Sequence, residues 1–154
     1  MIMYGSDQEL TAYCGLYCGD CLRFQSKVSK LATELSKELE KSHFEDYAHV
    51  KGAMVPEFLH YHKITAGLKA MSELYCGTPC RQGGDGCGKP CEIKTCVHKK
   101  GIAGCWQCDE AADCHKFNFL EPFHGKAPRE NLRKIRKYGL ENWTLHREKC
   151  YPWL

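Results

Sequence analysis

The clearest pattern of hydrophobic and polar positions lies between residues 22 and 74, a stretch that contains no cysteine. Its first half carries aliphatic residues at spacings of three and four, with lysine and glutamate between them. This spacing follows the turn of an α-helix and places the aliphatic side chains on one face. The pattern therefore predicts a helix over residues 23–41. The aliphatic positions are Val28, Leu31, Leu35 and Leu39.

Two further helices are predicted in the rest of this stretch. Ser42 or Asp46 is suited to cap the first of them, because a short polar side chain accepts hydrogen bonds from the free N–H groups of a helix. Pro56 fits the first turn of the second, since a proline there forgoes no helical hydrogen bond. That helix is predicted to run through Phe58, Leu59, Ile64, Leu68, Met71 and Leu74.

Residues 76–114 show no sustained apolar period and hold eight cysteines. Glycine and proline punctuate this stretch, so it is predicted to be loop. A loop of this composition buries too little apolar surface to fix its own conformation. We therefore expect bound metal to order it.

A third helical signal lies within residues 128–145. Pro128 and Gly139 bracket a helix that ends near Tyr138, since proline favours the first helical turn and glycine the residue after the last. Leu132 and Ile135 form a narrow apolar stripe on it. A short turn that packs back on the domain is predicted from Leu140, Trp143 and Leu145.

These patterns predict a mainly α fold. The 154 residues fit one domain, residues 1–154, in which a small helical part is joined to an irregular, metal-stapled cysteine-rich lobe. The helical part spans about 22–74, the lobe about 76–117, and the C-terminal helix lies within about 128–145.

Twelve of the residues are cysteine, which a secreted protein uses for disulfides and a cytoplasmic one for metal binding or redox chemistry. The segment from Met1 to Asp7 has no basic region and no apolar stretch of signal-peptide length, so we expect a cytoplasmic protein with reduced thiols. No apolar run is long enough for a membrane helix, and no membrane contact is expected. The formal net charge of +3 is too small to indicate a nucleic-acid partner.

The cysteines are spaced as metal ligands are. Two cysteines separated by two residues reach one metal from a tight turn, and zinc takes four such ligands in a tetrahedron. We predict two or three zinc ions. The eight cysteines from Cys76 to Cys114 divide into two quartets, which leaves the first three cysteines one ligand short. We expect that triad to share a metal with the later cysteines. The alternatives are that it takes Cys150 or a histidine, or that it leaves a coordination position open. The predicted ligands are Cys14, Cys18, Cys21, Cys76, Cys80, Cys87, Cys91, Cys96, Cys105, Cys108 and Cys114, with Cys150 left alone.

An iron–sulfur cluster is the alternative cofactor, because clusters use the same thiolate ligands. The spacing of Cys14, Cys18 and Cys21 is that of radical S-adenosylmethionine enzymes. Those enzymes need a βα barrel longer than this chain, and no alternation of strands and helices is visible. Zinc is therefore the favoured metal.

The cysteine order resembles one known family. The segment from Cys14 to Cys21 reads CGLYCGDC, and the later segments read CEIKTC from Cys91 and CWQC from Cys105. Together they are similar to a prokaryotic cysteine-rich family known only as a domain of unknown function. The closing segment after Asn131 is also similar. The resemblance implies a bacterial or archaeal soluble protein with bound metal, and it implies no activity.

Several other polar groups have an ordinary explanation. His60 and His62 are predicted to be helix-surface histidines, and His98 and His115 to lie outside the metal's own ligands. The C-terminal helix is basic, and we expect a solvated face rather than a nucleic-acid site. The basic residues are Arg129, Arg133, Lys134, Arg136 and Lys137.

The sequence thus predicts a zinc-binding structural or interaction module with a possible protein partner that it does not identify. An iron–sulfur redox or sensor protein is the first alternative. A zinc enzyme is the second, and it requires an open coordination position that spacing alone does not reveal. Whether the chain is an enzyme stays open.

Overall fold

The computed structural model describes residues 5–84 and 90–148, and their regular structure is helical, which confirms the predicted mainly α fold. These residues form no strand beyond two isolated bridges, Thr11 with Tyr17 and Phe24 with Cys76. The chain divides into two compact units. We call Leu22–Gly77 the helical unit, and Met1–Cys21 with Thr78–Leu154 the cysteine-rich unit.

The helical unit contains α2 (Lys27–Lys41), α3 (Phe44–Lys51), a 3₁₀ turn (Pro56–His60) and α4 (Tyr61–Ser72), and α1 (Asp7–Leu10) precedes it in the chain. Helix α2 begins later than predicted because Ser26 caps it, its hydroxyl accepting from the Ser29 N–H at 3.1 Å. Residues 23–25 form a turn with an isolated bridge at Phe24 instead, and Gln25 has a φ of 51°. The Cys76 N–H donates to the Arg23 carbonyl at 2.8 Å, and the Gln25 N–H donates to the Cys76 carbonyl at 2.9 Å.

The prediction that Ser42 or Asp46 caps the next helix is wrong. The Ser42 hydroxyl donates back to the Glu38 carbonyl at 2.8 Å and so belongs to the end of α2. Asp46 already lies in the first turn of α3, which follows a left-handed His43 with φ of 51°. Pro56 begins a 3₁₀ turn, and the α-helix that follows ends at Ser72, two residues before the predicted end.

Small side chains form the buried centre of the helical unit. Ser29 and Ala32 on α2, Ala48 on α3 and Leu68 on α4 are its buried helical residues. The Ser29 hydroxyl donates to the Ser72 carbonyl at 2.7 Å, which joins α2 to the end of α4. An aromatic group with ring centroids 5.4 to 6.3 Å apart lies beside this centre. Its members are Phe44, Tyr47, Phe58 and Tyr61.

The cysteine-rich unit contains α1, α5 (Glu92–Lys100), α6 (Glu121–His124) and α7 (Ala127–Tyr138), joined by short 3₁₀ turns. Helix α7 confirms the predicted C-terminal helix, and Leu132 and Ile135 are buried as its stripe indicated. Trp143 is fully buried, and its indole N–H donates to the Thr11 hydroxyl at 3.0 Å. Leu145, expected to pack beside it, is 81% exposed.

The prediction of loop throughout residues 76–114 is wrong at α5. Glu92 stands in its first turn, and Gly101 ends it with φ of 63°. Ile93 and Val97 lie one turn apart and are both buried. This burial gives the cysteine-rich stretch an apolar anchor of its own. Among the described residues, none of the helices is both long enough and apolar enough to cross a membrane.

Candidate metal centre

Four of the predicted ligands line a single cavity of about 100 Å³. Apolar side chains that are almost completely buried form part of its wall, chiefly Ile93, Val97 and Phe117. The four thiols come from three places in the chain: α5, the turn after Gly104, and the start of the 3₁₀ turn at residues 115–117. They are Cys96, Cys105, Cys108 and Cys114.

A tight turn presents the Cys105–Cys108 pair. Residues Cys105–Gln107 form a 3₁₀ turn, and the Cys108 N–H donates to the Cys105 carbonyl at 3.1 Å. Gly104 precedes the turn, and a Cβ there would lie 2.2 Å from the Trp106 ring. Only glycine therefore lets the indole fold back over the backbone and hold the turn closed. Two sulfurs on one such turn suit a shared metal ion.

Burial and neighbouring thiols make Cys105 difficult to ionise. Burial first, and then the charges of Cys108, Cys114, Cys96 and Cys91, together raise the pKa of Cys105 to about 12. Several thiolates placed together without a cation repel one another. A bound cation removes that repulsion and takes the thiols in their ionised form.

A lysine lies against the cluster. The Lys100 ammonium is 3.4 Å from Cys108 Sγ and 2.7 Å from Glu110 Oε2. The hydrogen bond to Glu110, and then that to Cys108, raise the pKa of Lys100, so its charge is retained. Lys116 also lines the cavity. These cations offset part of the negative charge of a thiolate cluster.

Two arginines of α7 hold the cysteine loops by their carbonyl groups, a role that the sequence did not indicate. The Arg136 side chain donates to the carbonyls of Trp106 and Cys108. The Arg129 side chain donates to the carbonyls of Ala111, Ala112 and Cys114. The prediction of a solvated face therefore holds for Arg133, whose side chain is 70% exposed. It does not hold for Arg129, whose side chain is 25% exposed.

The N-terminal segment is bonded to the same loops through Tyr13. Its carbonyl accepts from the Cys105 N–H at 2.9 Å. Its backbone also hydrogen-bonds to the Cys80 side chain, which partly offsets the rise that burial causes in the pKa of Cys80. Arg81 lies over the rings of Tyr13 and Trp106, with its guanidinium carbon 4.9 and 5.0 Å from their centroids.

The first cysteine motif contains a second tight turn. Residues Cys18–Asp20 form a 3₁₀ turn, and the Cys21 N–H donates to the Cys18 carbonyl at 3.0 Å. Cys14 is buried beside Gly15. Gly15 has φ of +86°, and a Cβ there would lie 3.0 Å from the Pro128 carbonyl oxygen, so this position requires glycine.

The remaining predicted ligands do not line the cavity that holds the four thiols. Cys91 is near enough to both Cys80 and Cys105 to affect their pKa values. Cys76 lies in the helical unit, and Cys87 and Cys150 lie outside the described residues. No two of the ten described cysteines are joined by a disulfide.

The four thiols share a cavity without converging on one point. Within residues 5–84 and 90–148, no group of three or more histidine, cysteine, aspartate or glutamate side chains is already placed to hold a metal ion. Binding of a single ion therefore requires the thiols to move inward. The four predicted non-ligand histidines, His60, His62, His98 and His115, are all exposed.

Comparison with family models assigns the chain to a family. Residues 10–119 match the model described as "Protein of unknown function (DUF3795)". The match covers more than half of the chain, so the protein belongs to this family, which confirms the resemblance in the sequence. It includes the first cysteine motif and all four thiols of the cavity. No curated protein and no solved structure matched the chain.

Proposed function

We propose that the protein is a zinc-stabilised structural or interaction module, and that Cys96, Cys105, Cys108 and Cys114 bind one zinc ion. The observation that carries the proposal is their shared cavity of about 100 Å³. Zinc–sulfur bonds of about 2.3 Å place the four sulfurs about 3.8 Å apart, which a small cavity can accommodate. A site with four protein ligands has no open position and acts structurally.

The charges around the cavity suit this assignment. Four thiolates and one Zn²⁺ carry a net charge of about −2. Lys100 and Lys116 are near enough to offset that charge, and Lys100 already hydrogen-bonds to a thiol. Arg129 and Arg136 donate to the carbonyls beside three of the ligands, so they support the loops that a bound metal would order. Such neighbours orient ligands and raise metal affinity.

An iron–sulfur cluster is the second candidate. One observation favours it. Four thiols line the cavity, yet no three of the described histidine, cysteine, aspartate or glutamate side chains are close enough together to hold one ion. A cluster of several iron and sulfide ions takes the same four cysteine ligands at wider separations than one zinc ion does. The cluster would make the module a redox or sensor protein.

Metal analysis of cysteine variants tests the assignment. The protein and four Cys→Ser variants, at positions 96, 105, 108 and 114, are purified without oxygen, and their zinc, iron and sulfide are measured. We expect each variant to lose one equivalent of zinc. Thr95→Ser, a change on the exposed side of the same helix as Cys96, should retain it. Brown protein with iron and sulfide supports the second candidate, and protein without metal contradicts both.

A further inference from the structure

The first cysteine motif and the cavity each contain a pair of cysteines on the same kind of turn. Cys18–Asp20 and Cys105–Gln107 are both 3₁₀ turns, and each ends at a second cysteine in extended backbone. The N–H of that second cysteine donates to the carbonyl of the first, at 3.0 Å in the motif and 3.1 Å in the cavity. The motif therefore carries its two thiols on the backbone geometry that the cavity uses.

An arginine supports each of these turns. Arg136 donates to carbonyls of the turn in the cavity. Arg147 supports the turn of the motif through Asp20, because its Nε and Nη2 donate to the two carboxylate oxygens, each over 3.1 Å. The Asp20 side chain is only 9% exposed, and the Arg147 guanidinium carbon lies 4.6 Å from the centroid of the Tyr17 ring. A two-point contact of this kind fixes the turn in direction as well as in position.

The loop between Cys14 and Cys18 is fixed by an amide of α7. The Asn131 Nδ2 donates to the Gly15 carbonyl at 2.9 Å, and Asn131 is 4% exposed. Its Oδ1 is buried and has no hydrogen-bond partner in the part of the chain that the structure describes. An unpaired buried oxygen costs free energy, so Asn131 holds this loop at a cost to folding.

A buried lysine lies one turn further along α7. The Lys134 Nζ is shielded from solvent and makes no hydrogen bond to the described residues, although Glu148 Oε1 is 3.1 Å away as its ion-pair partner. Asn131, one turn before it, and Arg147, next to Glu148 in the chain, are both bonded to the first cysteine motif. The ammonium group is therefore held beside that motif. The Glu148 side chain is 80% exposed, so a negative centre beside Lys134 would compensate its charge more fully.

Helix α7 thus has two polar borders with different neighbours. At about 100° per residue, Asn131 and Lys134 lie within roughly 60° of each other on its circumference. Arg129 and Arg136 lie on the opposite border, roughly 180° away, and the buried apolar residues of the helix lie between the two pairs. One border contacts the loops of the cavity, and the other contacts the first cysteine motif.

We propose that the first cysteine motif is a second zinc centre, separate from the cavity, in which Cys14, Cys18 and Cys21 bind one ion and Lys134 offsets its charge. A later cysteine supplies the fourth thiolate that a tetrahedral site needs. Four thiolates around Zn²⁺ carry a net charge of about −2, which a shielded ammonium group stabilises. The described thiols are not yet grouped around one point, so the ion draws them together as in the cavity.

Zinc content of the full chain, purified without oxygen, tests whether the second centre exists. The wild type should hold about two equivalents, and Cys18→Ser and Cys114→Ser should each hold about one. A wild type with one equivalent, which Cys18→Ser keeps and Cys114→Ser loses, overturns the proposal. Metal that is lost in Cys18→Ser and kept in Cys114→Ser would support this centre and contradict the one in the cavity.

Thiol reactivity in the wild type gives the same test without a cysteine variant. The zinc-loaded and the chelator-treated chain are alkylated with iodoacetamide, and mass spectrometry of the peptides gives a rate for each cysteine. Removal of zinc should accelerate alkylation of Cys18 and Cys21 about 10-fold or more, because a bound thiolate is a poorer nucleophile than a free one. If these two cysteines react at the same rate with and without zinc, the motif binds no metal.

The same measurement tests the charge of Lys134. In zinc-loaded protein, Lys134→Met should accelerate alkylation of Cys18 and Cys21 about 10-fold, since loss of a supporting partner weakens metal binding by about that factor. The rates at Cys105 and Cys108 should not change. Lys134→Arg, which keeps the positive charge, should restore rates close to those of the wild type.

The control variant is Lys137→Met, a change at an exposed lysine of the same helix, and it should leave all of these rates unchanged. Circular dichroism of each variant shows that the helices are retained. A Lys134→Met chain that alkylates all four cysteines faster by one factor, or an arginine that restores nothing, would overturn the role of this charge.

Discussion

The Nε–H of Arg136 donates to the carbonyl oxygen of Trp106 over 2.7 Å. The same side chain also donates to the Cys108 carbonyl. One residue of α7 therefore holds both sides of the turn that carries the Cys105–Cys108 pair. A helix that the sequence shows only as basic contributes directly to the candidate metal centre.

Arg136→Met should accelerate metal release. Loss of both hydrogen bonds lets the turn open, and loss of a residue that supports a ligand typically costs about 10-fold to 100-fold in metal affinity. The measurement is the rate at which a coloured chelator takes zinc from the folded protein. Arg133→Met is the matched control, because Arg133 lies on the same helix and pairs with Glu130. Equal rates of zinc release from the two variants would show that Arg136 does not support the metal site.

Removal of metal should affect the two units differently. In residues 90–117 the turns that carry the cysteines depend on the proposed metal. The helical unit is held together by the buried side chains of Ser29, Ala32 and Leu68, which need no metal. Hydrogen exchange after complete chelation should show lost protection in residues 90–117 and retained protection in at least part of α2 and α4. Unchanged protection across residues 90–117 would show that metal does not order this region.

How far the sequence predicts this fold depends on the residues concerned. Helix α7 is predictable because Pro128 and Gly139 mark its ends and Leu132 and Ile135 mark its buried face. Helix α5 is missed because the glycines and prolines of this stretch, and its lack of a sustained apolar period, predict loop on both sides of Ile93 and Val97. The end signals Glu92 and Gly101 would have revealed it.

The buried face of α2 is a different case, since no local pattern reveals it. The stripe of Val28, Leu31 and Leu35 predicts the helix correctly. Which face is buried depends on what α4 offers, and α4 accepts the small residues Ser29 and Ala32. The carbonyl contacts of Arg129 and Arg136 are equally hidden, because side-chain charge does not show which backbone lies nearby.

The first cysteine motif should be coupled to the cavity. Tyr13 joins that segment to Cys105 and Cys80, and we predict that the triad shares a metal with the later cysteines. Cys18→Ser and Cys21→Ser should then lower hydrogen-exchange protection in residues 91–114 as well as locally. The control is Leu22→Ala, a change at an exposed neighbour of Cys21. If both cysteine variants lose metal while residues 91–114 keep full protection, the motif binds its metal separately.

Asp7 should make the stability of the cysteine-rich unit depend on pH in acid. Hydrogen bonds from the Thr144 and Tyr17 hydroxyls, with help from Arg147, hold the pKa of Asp7 below its ordinary 3.8. The folded state therefore favours the carboxylate. Its stabilising effect is complete above the ordinary pKa and is lost as the pH falls through the lower folded value.

The measurement is the free energy of unfolding of the wild type minus that of Asp7→Asn, at several pH values. This difference should be steady from about pH 7 to about pH 5 and should shrink below about pH 4. Metal release in acid affects both proteins and largely cancels in the difference. If the difference in unfolding free energy grows as the pH falls, the pKa of Asp7 is not lowered by folding and the prediction is wrong.

X-ray absorption at the zinc edge tests the central claim most directly, because it identifies the metal and its ligand atoms together. The protein purified without oxygen should contain zinc, with a first shell of four sulfur atoms at about 2.3 Å and no shorter shell of nitrogen or oxygen. A zinc signal lowered by one equivalent in Cys114→Ser would assign this shell to the cavity. A shell with nitrogen or oxygen, or iron in place of zinc, would contradict a structural zinc ion held by Cys96, Cys105, Cys108 and Cys114.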